Sequence, residues 1–364
     1  MLQQSKQNCG LVKARFLACI IVQIGSLQNA VGAVVRLKTR RMYSCLLQRA
    51  SWQASVMLDD NAIDELVFWK QNCRELNNEG MYFETYTACD TIMYSDASGE
   101  GFGGYLALPD HPQLEVNIDA LCESTLVEGS EVMGTWTLSE RGKSSTWREL
   151  ESVRRIVSNH ADLLAEKKVG VLSDNQNVCS ILKVGSRKAN LQDIAVDIRG
   201  ICDFQNIAIV PKWVPRADNM VADRLSKTYD CDDWQIAEHV FSVLNVEWGP
   251  FDVDRFASNL NNKCVVFNSK WWCPGTSGVD AFEQNWQKLH NWVVPPPSLI
   301  LRVVEKFQGD GASGTLVVPE WKSSPYWPAI SQWGSFARCI TEIKNLGYCG
   351  THVVVGGKGN KWYF

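Results

Sequence analysis

Four acids stand where a folded chain could bring them to one cation. Asp96 lies in Met93-Tyr94-Ser95-Asp96-Ala97-Ser98-Gly99 and Glu149 in Ser145-Thr146-Trp147-Arg148-Glu149-Leu150. Asp174 lies in Val171-Leu172-Ser173-Asp174-Asn175, and Asp223 in Asn219-Met220-Val221-Ala222-Asp223-Arg224-Leu225-Ser226-Lys227. Carboxylates converging from separate elements are what two hard divalent cations need, and such a pair can hydrolyse a phosphodiester. Each acid taken alone has an ordinary role as well. Asp96 can start a turn, Glu149 can complete a capping box from Thr146, Asp174 can cap the next helix, and Asp223 can pair with Lys227 one turn on. Taken together, four such acids in one crevice would repel one another strongly, and bound cations remove that conflict.

The pattern around the acids supplies the elements to carry them. Thr91–Ser95, Gly103–Leu108 and Val132–Leu138 alternate or run apolar as strands, the first two joined by a turn at Ser98-Gly99-Glu100-Gly101. A polar insertion, 109–130, precedes the third. Helix over 147–160, strand over 169–173, helix over 176–184, helix over 191–204, strand over 207–214 and a helix from Met220 follow. Two acids then fall at strand ends and two on helices packed over the sheet. Upstream, the spacing predicts helices over 26–56, with Ser26 as cap, and over 59–76, with Asp59 as cap and a turn-rich link beyond Asn77. From about residue 247, short apolar runs at 251–253, 265–267, 292–294 and 315–318 alternate with helical or loop segments, the pattern of an open α/β sheet.

Composition bounds the alternatives. With 364 residues, 45% hydrophobic and 21% charged, the chain is that of a folded protein with room for two domains or more. Its 13 cysteines include no Cys-x-x-Cys pair, and the 5 histidines form no ligand-spaced cluster with them, so reduced thiols in an intracellular protein are expected and a zinc site is not. The apolar run Phe16–Ile24 is too short to span a bilayer, and no membrane partner is expected. Most of the 15 tryptophans are expected in cores. A net charge of −4 conceals segregation. Residues 1–50 hold eight basic side chains and no acid, and residues 141–228 hold fifteen basic against ten acidic, which favours a polyanionic partner for both stretches.

The four acidic motifs, in this order and after Trp213-Val214-Pro215, resemble those of a retroelement ribonuclease H over residues 85–230. That resemblance implies a ribonuclease H-like mixed α/β sheet with flanking helices. It implies two-metal hydrolysis (Mg²⁺ or Mn²⁺, two ions) of the RNA strand of an RNA–DNA hybrid. Asp96 would bridge the ions, Glu149 and Asp174 would complete one site, and Asp223 would help hold the ion that activates water. Arg148, Arg154, Arg155, Arg187, Lys188, Lys212 and Arg216 are the candidate phosphate contacts. Bacterial members of the family carry a histidine loop before the last acid, whereas this chain runs from Pro215 through Arg216-Ala217-Asp218-Asn219. No histidine-assisted product release is expected.

The flanks extend the resemblance. Gly25–Gln28 with Val35–Arg41 is similar to the thumb or connection helices that follow the polymerase palm in DIRS-type retrotransposons, which makes residues 1–84 a helical segment downstream of a reverse transcriptase palm. Phe251–Asn259, Asp280, Phe282, Trp286, Pro295-Pro296-Pro297-Ser298 and Pro319-Glu320-Trp321 resemble a Dam-like methyltransferase region, giving a small Rossmann-like α/β domain over 247–330. An adenine N6-methyltransferase needs Asp or Asn before Pro-Pro and an aromatic after it; Pro295 and Ser298 stand there instead, and no Gly-x-Gly loop marks a cofactor site. A shell without methyl transfer is expected, and residues 331–364 are unassigned. Rival readings are an inactive nucleic-acid-binding relic of a reverse transcriptase polyprotein and a DNA adenine methyltransferase-like protein that binds S-adenosylmethionine.

Overall fold

The computed structural model describes residues 11–32, 34–79, 89–109, 124–230, 232–347 and 352–357. The chain divides into two compact units, Met1–Glu131 with Gly142–Asp223, and Val132–Arg141 with Arg224–Phe364.

The first unit opens with a short antiparallel ribbon, β1 Leu11–Lys13 against β2 Ser55–Met57. Between them run the helices α1 Ala14–Ser26, α2 Gln28–Val31, α3 Val34–Leu37 and α4 Arg40–Leu47, and α5 Asp60–Glu79 follows. The apolar run Phe16–Ile24 is therefore a helix, and Leu17, Met42, Leu46 and Trp69 form the core beneath it. Ser26 ends α1 rather than capping a helix, because its hydroxyl donates back to Gln23 O (2.6 Å). Asp59 does cap α5, its Oδ1 accepting from Ala62 N (2.8 Å). Glu65 is buried and accepts from Arg41 N and Met42 N at the start of α4. Burial pushes its carboxyl up to about 7, against the pull of those two bonds.

A mixed sheet follows, built from β3 Thr91–Ala97, β4 Gly101–Pro109 and β5 Ser124–Leu126, then, beyond the second unit's β6 Val132–Thr135 and α6 Leu138–Arg141, from β7 Lys168–Ser173 and β8 Ala208–Trp213. Its order is β5-β4-β3-β7-β8. Strands β5, β4 and β3 pair antiparallel, and β3, β7 and β8 parallel. The expected ribonuclease H-like mixed sheet with flanking helices is thus present, with one correction. The antiparallel edge strand β5 lies inside the stretch read from the sequence as an insertion, and the strand expected over 132–138 is confined to Val132–Thr135. Helices α7 Ser145–Asn159, α8 Ala161–Leu164, α9 Gln176–Val184, α10 Ala189–Phe204 and α11 Met220–Ser226 complete the alternation. Parallel strands covered on both faces read as buried runs, and six consecutive residues of β3 are buried. Helix α7 lies close over the sheet because Gly104 leaves room. A Cβ there would meet Ile156 Cδ1 at 2.1 Å and Tyr94 O at 2.5 Å.

In the second unit, β9 Trp234–Ile236 and α12 Glu238–Glu247 precede a fully parallel sheet. Its strands are β10 Val253–Asp254, β11 Val266–Ser269, β12 Gly278–Val279, β13 His290–Val293 and β14 Ser313–Leu316, in the order β12-β11-β10-β13-β14. Helix α13 Ile300–Asp310 makes the last crossover. Each of the four apolar runs read from the sequence overlaps a strand of this sheet, the first by Val253 alone, while β12 falls outside them; the sheet has the Rossmann-like parallel form expected. Trp286 and Trp292 are among its largest fully buried side chains. Trp69, Trp136 and Trp234 are buried too, whereas Trp52, Trp213 and Trp333 are exposed. No helix among the described residues is long and apolar enough to cross a membrane.

Candidate metal centre

The parallel register of β3 and β7 brings two acids level. Tyr94 pairs with Leu172, so Asp96 and Asp174, each two residues further on, stand side by side at the carboxyl ends of neighbouring strands, about 4.8 Å apart in a sheet. Helix α7 supplies the third acid. Ser144 caps it by accepting from Trp147 N (3.3 Å), which places Glu149 in the second turn, beyond reach of a capping box. One turn later Ser152 Oγ donates to Asp96 O (3.0 Å) and pins the helix over the strand end. Asp96, Glu149 and Asp174 each offer an oxygen within 4.8 Å of the others.

The turn and cap roles do not account for Asp96, Glu149 and Asp174. Asp96 lies within β3, and the following turn is held by Ser98, whose Oγ accepts from Glu100 N and Gly101 N. Asn175, not Asp174, caps α9 by accepting from Asn177 N (3.0 Å). Asp223 is ion-paired with Arg216, its Oδ1 accepting from Nη2 at 2.6 Å. It lies outside the group of three acids whose oxygens converge.

Electrostatics mark the same place. Burial, followed by the charges of Asp96 and Asp174, pushes the Glu149 carboxyl up to about 9, and Arg148 and Arg216 only partly offset this. Glu149 is 6% exposed, and its Oε2 is buried with no hydrogen-bond partner. An orphaned buried acceptor beside two further carboxylates is a poor arrangement for stability. It suits a divalent cation, which takes oxygen ligands and cancels the repulsion. The residues present therefore fit a Mg²⁺ or Mn²⁺ ion.

Three supporting side chains were not singled out as positioning groups from the sequence. Asn219, fully buried, donates from Nδ2 to Ser95 O (2.9 Å) and ties the turn before α11 to β3. Ser152 holds the Asp96 carbonyl. Trp213 Nε1 donates to Asp174 O (2.9 Å), which gives a role to the first residue of Trp213-Val214-Pro215. The only signal in the sequence was their nearness to the motifs.

The candidate phosphate contacts divide. Arg155 is corrected: at 1% exposed it is paired with Glu151 (3.0 Å) and lies over the Phe102 ring, so no phosphate reaches it. Arg154 is engaged with Glu151 and Asp197, both at 2.8 Å. Arg187 and Lys188 are exposed at the bend between α9 and α10, and Arg216 is 70% exposed beside the acids. Arg148 and Lys212 are partly buried.

At the carboxyl end of β10 the second unit has a different arrangement. Arg255, 3% exposed, donates to Asn291 Oδ1 (2.7 Å), Asn268 Oδ1 (2.8 Å) and Asn285 O (2.9 Å), and burial lowers its pKa to about 10. Asn291 in turn donates to the carbonyls of Trp286, Leu289 and Ser313. Beside it, Asp254 accepts from Lys263 N (3.0 Å) while its Oδ1 has no partner, and burial raises its carboxyl to about 6. This is the point where strands are added on either side of β10, the usual place for a ligand crevice in an open parallel sheet.

Residues 225–330 match the family model described as DNA N-6-adenine-methyltransferase (Dam). Among solved structures, the N-terminal RNase H domain from Mycobacterium tuberculosis, fused to maltose-binding protein, is 20% identical with a TM-score of 0.28, covering 37% of this chain and 88% of that one. RNase H1 from the halophilic archaeon Halobacterium salinarum is 17% identical with a TM-score of 0.29, covering 38% and 92%. A foamy viral protease-reverse transcriptase in complex with an RNA/DNA hybrid is 12% identical with a TM-score of 0.24, covering 55% of this chain and 25% of that one. No curated protein matches the sequence.

Proposed function

We propose that residues 85–230 form a ribonuclease H-type endonuclease that cuts the RNA strand of RNA–DNA hybrids with two divalent ions, Mg²⁺ or Mn²⁺. The observation that carries this reading is the convergence of Asp96, Glu149 and Asp174 at the ends of adjacent parallel strands, with an orphaned buried oxygen on Glu149. Bound ions would supply charge neutralisation and an activated water. The chain's own residues do the rest. Asp96, Glu149 and Asp174 would hold the cations, and Asp223 would join them from α11. Ser152, Asn219 and Trp213 fix the backbone that presents those acids. Arg187, Lys188, Lys212 and Arg148 would contact backbone phosphates, which carry no sequence information, so the hybrid would be read by shape and by 2′-hydroxyl contacts. In the wider reading, residues 1–84 are the thumb-like continuation of an upstream reverse transcriptase palm in a retrotransposon polyprotein of the DIRS type. Cleavage of a labelled hybrid with Mg²⁺ tests the activity. The parent should cut and Asp174→Asn should not; a parent inert with both Mg²⁺ and Mn²⁺ would leave only a nucleic-acid-binding role.

A second reading is favoured by the Dam match over 225–330. We read this unit as a methyltransferase-type shell that does not transfer methyl groups, because Pro295 and Ser298 stand where the amine-holding and base-stacking residues are needed. Calorimetric titration of the protein with S-adenosylmethionine tests it, and binding accompanied by methylation of adenine in DNA would overturn it.

A further inference from the structure

The segment that would carry a histidine loop in bacterial relatives presents Arg216 to the acids instead. Its backbone is fixed. Asp218 N donates to Pro215 O (2.9 Å), closing a 3-10 turn over Arg216–Asn219, and Asn219 ties that turn to Ser95, the neighbour of Asp96. The Arg216 side chain is not fixed, being 70% exposed and held by the single 2.6 Å bond to Asp223. Its charge reaches the whole set. The bond to Asp223, then the charges of Asp223, Asp96 and Asp174, raise the Arg216 pKa, and the same guanidinium partly relieves Glu149.

Resting on the nuclease reading above, we propose that Arg216 is the resident counter-ion of this site, a positioning residue that divalent metal must displace from Asp223. Two observations point the same way. The guanidinium occupies Asp223 Oδ1 at 2.6 Å, and a divalent ion drawn to the same carboxylate would repel it. And the partly neutralised cluster still leaves the buried Glu149 Oε2 without a partner, so an arginine at the rim does not satisfy the acids, whereas an ion among them would. On metal binding the Arg216 side chain would swing outward about this anchored turn.

Titration calorimetry with Mg²⁺ and with Mn²⁺ alone separates this from a merely structural role. Arg216→Gln removes the competing charge and should bind metal roughly 3–10-fold more tightly than the parent at low salt, as screened Coulomb interactions of this size imply. Arg216→Lys, which keeps the charge, should stay within about 2-fold of the parent. The difference between Gln and parent should shrink in 0.5 M salt, where the Debye length falls to roughly 4 Å. Equal or weaker metal binding by a folded Arg216→Gln would overturn the inference and leave the nuclease reading standing. Absence of metal binding in the parent and both variants would overturn the two together.

Discussion

Two strand-end clusters in this chain handle buried charge in opposite ways. At the ends of β3 and β7 three carboxylates crowd together, and a buried oxygen of Glu149 is left unanswered. At the end of β10 the buried Arg255 is answered by neutral amides and a carbonyl; the Asn291 amide is itself bonded to the backbone and that of Asn268 to Ser277 Oγ. In the proposed reading the first cluster is completed by a cation from outside. Around Arg255, by contrast, every bond comes from within the unit, although the neighbouring Asp254 also keeps a buried Oδ1 without a partner. The family match falls on this second region and the chemistry-ready arrangement on the first. A sequence match therefore locates a fold more readily than a working site.

That contrast can be broken by substitution. The largest effect is expected at Arg255. Arg255→Leu removes three hydrogen bonds and leaves Asn268 and Asn291 with unanswered acceptors, which should cost roughly 3–4 kcal/mol of the second unit's stability in a urea titration. A loss below about 1 kcal/mol would mean the amides find other partners. Next comes Asp96→Asn, which should lower hybrid cleavage at least about 100-fold while the fold is retained. Retention of most of the activity would place the reaction elsewhere. Asp174→Asn should do the reverse of Arg255→Leu for stability. Removing one of the charges that crowd Glu149 should raise the metal-free melting temperature by about 2–4 °C, and a drop would show that Asp174 is a structural acid.

A further expected effect is one of pH. The Glu149 carboxyl titrates near 9 in the folded protein against 4.5 for the ordinary group. A raised acid stabilises the fold fully below its unfolded value and loses that contribution as pH rises through its folded value. Metal-free stability should therefore decline from about pH 5 to pH 9, and Asp174→Asn should flatten the slope, as melts across that range would reveal. Metal competes with the same proton, so Mn²⁺ should bind more tightly as pH rises, with proton release detectable in buffers of different ionisation enthalpy.

Much of this was legible in the sequence because it was carried by local signals. Buried β3 and β7 read as apolar runs, Asp59 read as a cap, and the acids could be set at strand ends once those strands were found. What escaped was non-local. Asn219 reaches Ser95 across 124 residues and Ser152 reaches Asp96 across 56, and neither bond leaves a trace in composition or period. Strand β5 is three residues long in a polar stretch, so its pairing with β4 supplies the order that its own pattern does not. Arg155 looked available for phosphate because Arg154 and Arg155 are adjacent charges. On α7, Glu151 at i−4 turns Arg155 inward, and even the helix's charged residues are largely covered.

The claim at the centre of the comparison is that the first cluster needs a cation and the second does not. Crystals soaked in Mn²⁺ and measured for anomalous scattering test it most directly. A peak among Asp96, Glu149 and Asp174, lost in Asp174→Asn, together with no peak near Arg255 and Asp254, is the expected result. Manganese absent from the three acids at saturating concentration would contradict the account.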